Sequence, residues 1–170
     1  PLPSAEGAVR VALLLPLSGP NSPVGQAMLN AAQLAVFAFA GDAFELLPQD
    51  TKGTPKGAVE AAALAIGDGA ELILGPLLSA SVKAISPHAR AAGVPVLGFS
   101  SDRTVAGDGT YTMGFLPSAE VHRIIAYAHS KGHQRFAALV PDNSYGSAIV
   151  SALEAATNRL GVVVTRVKYY

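Results

Sequence analysis

The sequence predicts an α/β fold in which a parallel sheet carries helices on both faces. Three observations point there. Short aliphatic, β-branched runs alternate along the whole chain with longer stretches of three- and four-residue apolar spacing. The first strand-like run, VRVALLLP, is apolar on both faces apart from Arg10, as expected of a strand buried on both sides. The 17 glycines and 12 prolines fall mainly between the runs, where they punctuate elements. Strand–helix alternation of this kind implies right-handed crossovers between parallel strands.

Taken in order, Val9 to Pro16 reads as the first strand. Ser22 and Pro23 open a helix, Ser22 as the cap and Pro23 at the first helical position, where a missing N–H costs nothing. Val24, Ala27, Met28, Ala31, Leu34, Ala35 and Ala38 then mark an amphipathic helix of about 17 residues. Phe44 to Asp50 is the second strand, and Thr54-Pro55 starts a helix to about Gly67. Glu71 to Gly75 is the third strand, and Ser79 to Ala92 the next helix, which Pro87 should kink or restart at Ser86. Val94 to Phe99 is the fourth strand, 100–111 a polar loop, and Thr112 to Pro117 a short strand. Ser118 caps a helix to about Lys131, with Gly132 as its stop. A strand from Arg135, a helix over Tyr145 to Leu160 and a last strand to Tyr170 follow. The joint at Pro117 suggests a lobe boundary: a linker over 1–8, one lobe over 9–116, and a second beginning at 117–170.

Composition removes several function classes. Twelve basic and twelve acidic residues balance, and no basic run occurs, which argues against a nucleic-acid or anionic-membrane surface. The absence of cysteine excludes disulfides, thiolate metal sites and cysteine nucleophiles. No apolar run reaches the ~18 residues of a membrane span. PLPSAEGA reads as a trimmed linker, so a leader removed upstream of it is expected.

Open α/β sheets bind ligands beyond the carboxyl ends of their strands. The segments there are PLSGPNS, QDTKG, GPLLSAS, GFSSDR and PDNSYG, and four of the five carry serine. Together they predict a polar, uncharged rim, with helix N-termini offering amides to an anion. Ser79 is expected both to cap its helix and to face a ligand, Ser81 being the other capping candidate; Asp50 reads as a loop-forming carboxylate. SGPNSPVG lacks the Gly-Lys-Ser/Thr ending of a phosphate loop, and no GxGxxG occurs. His129 and His133 are four apart, but Gly132 intervenes and places His133 past the helix end. Ser79 and Lys83 are spaced S-x-x-x-K rather than S-x-x-K, and no G-x-S-x-G elbow occurs. No catalytic residue, metal or cofactor is expected.

The series LLLPLSGPNSPVGQAMLNAAQLA, GPLLSAS, AAGVPVLGFSSD and ALVPDNSYG resembles type I periplasmic binding proteins of the leucine/isoleucine/valine-binding kind. Within that superfamily the chain looks closest to the bacterial penicillin-binding-protein activators, which are lipoproteins. The resemblance covers Val9 to Tyr170 and implies two Rossmann-like lobes that close on a ligand. It also implies a domain roughly twice this length, so the chain reads as truncated. Carried over, Ser79 meets a ligand carboxylate, Ser100 offers a backbone contact, Ser18 lies on the first loop, and Tyr145 covers the ligand. Asp102 stands where amino-acid binders commonly have threonine; a carboxylate there favours an ammonium and repels a carboxylate. The implied function is a non-catalytic periplasmic domain that closes on a small polar ligand such as an amino acid, in ABC-type transport with a membrane permease. The alternative is a penicillin-binding-protein activator domain that regulates peptidoglycan synthesis by contact with a cell-wall synthase. Either location is periplasmic, with a lipid anchor on a removed N-terminal segment, and neither involves nucleic acid.

Overall fold

Val9–Leu15 forms strand β1, and every residue from Val11 to Leu15 is buried. A strand with no wettable face belongs inside a sheet. β1 accordingly lies between β2 (Phe44–Asp50) and β3 (Leu72–Leu74), and β4 (Val96–Gly98) and β5 (Thr110–Thr112) extend the sheet beyond β3. The order is β2-β1-β3-β4-β5, and every pairing is parallel. The α/β class expected from the sequence holds. The computed structural model describes residues 7–41, 44–114 and 117–170; most of the linker read over residues 1–8 lies outside them.

Side chains alternate across a strand, so β1 feeds two cores. Leu13 and Leu15 point to one face and pack with Leu29 of α1 (Ser22–Phe39). Ala12 and Leu14 point to the other, where α2 (Pro55–Gly67) presents Ala58, Ala61, Ala62 and Ala65. α3 (Ser79–Ala91) adds Ile85 and Ala89 to that second core. Alanines along α2 keep its backbone close to the sheet.

Contacts divide the chain into two units, Pro1–Gly114 and Phe115–Tyr170. The second unit has α4 (Pro117–Ser130), β6 (Arg135–Val140), α5 (Ser144–Leu160) and β7 (Val163–Tyr169). β6 and β7 pair in parallel. Its core joins Ile125, Leu153, Ala156 and Val162, with Phe136, Ala138 and Val164 packed against them.

Several local expectations are corrected. The cap of α1 is Asn21, one residue before Ser22, and its side chain makes no capping bond. α4 begins at Pro117, so Ser118 is inside the helix rather than its cap. Pro87 neither breaks nor restarts α3. It removes one amide from the helix, but Ile85 and Ala89 on either side of it are fixed in the same core, and the Ser86 hydroxyl donates to the Val82 carbonyl at 2.8 Å. β5 runs over Thr110–Thr112 rather than from Thr112 onward, because the Val96 amide already bonds the Gly109 carbonyl at 3.0 Å. The remainder of the expected strand includes residues 115 and 116, outside the described residues.

Three strand exits share a feature that limits residue choice. Gly25, Gly57 and Gly146 each sit in the first turn of a helix, directly over the carbonyl of the residue that follows the preceding strand: Pro16, Thr51 and Pro141. A Cβ at any of them would overlap that carbonyl. Gly25→Ala is therefore expected to cost about 1–3 kcal/mol in urea unfolding. Gly67→Ala, at the end of α2 with nothing within 4 Å of its added Cβ, should be neutral or slightly stabilising. Equal midpoints for Gly25→Ala and the parent would refute the close approach.

Candidate functional site

Because all five strands of the first unit run parallel, their carboxyl ends meet one edge. The chain leaves β1 for β2 on one side and later returns to place β3 on the other, which makes the β1/β3 junction the switch point where such sheets open a crevice. Ser18 follows β1, Ser79 follows β3, and Ser100 and Asp102 follow β4. The structure thus brings these four residues to one edge of the first unit, on the exits of neighbouring strands.

Asp50, at the end of β2, ties the β2 exit to the β1 exit. Its Oδ1 accepts from the amides of Lys52 at 2.7 Å, Leu17 at 2.9 Å and Ser18 at 3.2 Å, and its Oδ2 accepts from the Ser18 hydroxyl at 2.6 Å. Burial works against the charge. The Ser18 hydroxyl and the Lys52, Leu17 and Ser18 amides outweigh it and hold the carboxyl below the ordinary carboxylate range. Lys52 is thereby held at φ 54, a left-handed conformation unusual for a side chain of its kind. Asp50 is the loop-forming carboxylate the sequence suggested, and Ser18 is its donor.

The β3 exit is different. Gly75 has φ 95, lies against the Leu14 carbonyl, and is joined to Pro76 by a cis peptide. The N-cap of α3 is Leu78, with no side-chain cap; Ser79 is the first helical residue and is half-buried. The expected capping by Ser79 is therefore not made, because the extended backbone that defines a cap falls at Leu78 (φ −91, ψ 137). Intrahelical bonding begins with the amides of Ser81 and Val82, both to the Leu78 carbonyl. The helix start leaves its earliest amides for an outside acceptor. Ser81 is 1% exposed, and its hydroxyl has no hydrogen-bond partner among the described residues. Sequence reasoning named Ser81 only as a cap; no signal in the sequence marks a buried hydroxyl as unpaired.

At the β4 exit, buried Ser100 accepts from the Asp102 amide at 3.0 Å. Asp102 caps a short 3-10 turn, Arg103–Val105, its Oδ1 accepting from the Thr104 amide at 2.9 Å and hydroxyl at 2.7 Å.

In the second unit, Tyr145 is the second residue of α5 and 46% exposed. Asn143 caps that helix through the amides of Tyr145 and Gly146, at 3.0 and 3.1 Å. His133 lies beyond the end of α4, after Gly132 at φ 91. Among the described residues no cluster of His, Cys, Asp and Glu is placed to hold a metal, and no helix is long and apolar enough to cross a membrane.

A family model described as periplasmic binding protein matches residues 8–170. Over 83 residues the chain is 34% identical to the Leu/Ile/Val-binding protein BraC3 of Rhizobium johnstonii, covering 45% of this chain and 23% of that protein. Its fold is similar to an ABC transporter substrate-binding protein from Sphaerobacter thermophilus, with a TM-score of 0.83 at 22% identity, over 96% of this chain and 47% of that one. It is also similar to full-length LpoA from Haemophilus influenzae, with a TM-score of 0.75 at 21% identity, over 96% of this chain and 30% of that one. The chain spans less than half the length of each of the three.

The Asp50 tie has a pH signature. A carboxyl with a depressed folded pKa adds stability above its unfolded value of ~3.9 and loses that contribution as pH falls through the folded value. Asp50→Asn should be less stable than the parent near neutral pH, and the gap should close as the pH is lowered below about 4. Urea melts across that range would read it; a gap that stays constant would detach the carboxylate charge from loop stability.

Proposed function

Because the chain belongs to the periplasmic binding protein family, we propose that the strand-exit rim of its first unit receives one end of a small polar ligand, bound without chemistry. The observation that carries this reading is the start of α3. There the early amides of a 13-residue helix and the unpartnered Ser81 hydroxyl stand at the switch-point exit. An N-terminal helix end of this kind suits a carboxylate. Ser79, half-buried and free of capping duty, is the side chain for that group, and Ser100 supplies its backbone. Asp102 commits one oxygen to Thr104 and keeps the other for an ammonium. Carboxylate and ammonium together describe an amino acid, and the partial match to a Leu/Ile/Val-binding protein supports that choice. Ser18 acts here through Asp50, shaping the loop, and Tyr145, at the start of α5, is proposed as a further ligand residue. The setting is the periplasm, with delivery to an ABC permease.

A second reading is favoured by one observation. The hydrogen bonds that tie Ser18 to Asp50 and one Asp102 oxygen to Thr104 reduce the number of rim groups left for a ligand. In that reading the domain acts by contact with a cell-wall synthase, as in penicillin-binding-protein activators, and the rim is not a solute site.

Thermal-shift measurements against single amino acids separate the two. A ligand at a hundred times its dissociation constant adds about 2.7 kcal/mol, which raises the melting point by several degrees. The Ser79→Ala/Asp102→Ala double variant should still unfold cooperatively, at a melting point lowered by loss of the Asp102 cap, yet lose the ligand-induced shift. A shift retained in the double variant removes both residues from the site. A flat response to every amino acid, with capture of a cell-wall synthase, establishes the second reading instead.

A further inference from the structure

α3 turns two neighbouring lines of side chains to different partners within the first unit. Ile85 and Ala89 pack with the alanines of α2 and with Val96 in one core. Val82, Ser86 and Arg90 stand four residues apart, on one line of the helix, and all three meet the β4–β5 segment. The Val82 methyls fill the space beside Gly98 of β4, where an added Cβ would lie 2.8 Å from Cγ2. The Thr110 hydroxyl of β5 donates to the Ser86 hydroxyl at 3.0 Å, and Ser86 donates in turn to the Val82 carbonyl at 2.8 Å. Arg90 pairs with Asp108, just before β5.

These three ties differ in kind. Apolar contact between Val82 and Gly98 has no preferred direction and tolerates a small slide. The Arg90–Asp108 pair is exposed, and pairs of that sort hold little. The hydroxyl pair is directional, and Thr110 is 3% exposed, so little water competes for the bond. Pro87 follows Ser86 at once and brings no amide to the helix, so the directional tie falls where the bonding of α3 itself is weakest. About 10 Å of helix separates Ser86 from Ser79, and a rotation at one is carried to the other. Past the far end of β5, Gly114 lies against the Ser100 carbonyl. The strand that holds α3 therefore also backs the β4 exit.

We propose that Ser86 and Thr110 are positioning residues for the rim. Their hydroxyl pair fixes the height and rotation of α3 on β4 and β5, and with them the placing of Ser79 against Ser100 and Asp102. Neither residue touches the ligand. Ser86 acts through the start of α3, and Thr110 acts through the strand that backs Ser100. The consequence for binding rests on the rim being an amino-acid site, whereas the positioning is a property of the unliganded domain.

Four variants of the full chain, measured well below their melting points, test this. Thr110→Val keeps the shape of the side chain and removes the donor, Ser86→Ala removes the acceptor, and Thr110→Ser restores the hydroxyl. Ile66→Val, on the α2 side of the same core, controls for loss of stability alone. The Ser81 and Val82 amides bond the Leu78 carbonyl in the first turn of α3. Without ligand, their hydrogen exchange should quicken about threefold to tenfold in Thr110→Val and Ser86→Ala. It should return to within about twofold of the parent in Thr110→Ser, and Ile66→Val should match the parent. The Kd for L-leucine, read by calorimetry, should rise about threefold to tenfold in the same two variants and recover in Thr110→Ser. The proposal is overturned by parental exchange rates in Thr110→Val and Ser86→Ala, by equal quickening in Ile66→Val, or by an unchanged Kd where exchange has quickened. Failure of the parent itself to bind L-leucine counts against the amino-acid reading of the rim, and the exchange comparison then decides the positioning role alone.

Discussion

A helix that follows a strand in a parallel sheet must double back over the strand it has just left, and its first turn then meets the carbonyl at the strand's end. At Gly25, Gly57 and Gly146 that meeting is made backbone to backbone, with no room for a side chain. The β3 exit reaches the same closeness by other means. Gly75 lies on the Leu14 carbonyl, and Gly98 of β4 leaves the space that Val82 of α3 fills. Everything at the rim depends on these approaches, because they decide how near the helix starts stand to the strand ends.

The order of elements was legible because hydrophobic period and Gly/Pro punctuation agree along the chain. Pro23, Pro55 and Pro117 each lie within a residue or two of a helix start, as their fixed φ and missing N–H dictate. Caps were less legible. Thr54, which its residue type and the following proline mark as the start of α2, accepts from the Gly57 amide at 3.0 Å. Ser79, Ser22 and Ser118 are of the type that caps prefer, whereas the chain enters α1 and α3 one residue earlier, at Asn21 and Leu78. Where a helix begins is decided by backbone angles that tertiary packing imposes. The same packing keeps α3 whole through Pro87.

At the rim, residue types were legible and their allegiances were not. Serine at four exits was visible as polarity. That the Ser18 hydroxyl would turn inward to Asp50 while the Ser81 hydroxyl would find no partner depends on contacts between segments 32 residues apart in one case and on burial in the other.

The Asp50 tie has one more consequence. A loop whose path is held from beneath, by amides gathered on a single carboxylate and by a glycine pressed on a carbonyl, does not rely on its outward side chains to keep its shape. Positions on its outer surface are free to change without unfolding it. Such a scaffold lets descendants of one gene trade recognition residues one at a time, each intermediate remaining folded, and so drift from one kind of bound molecule to another.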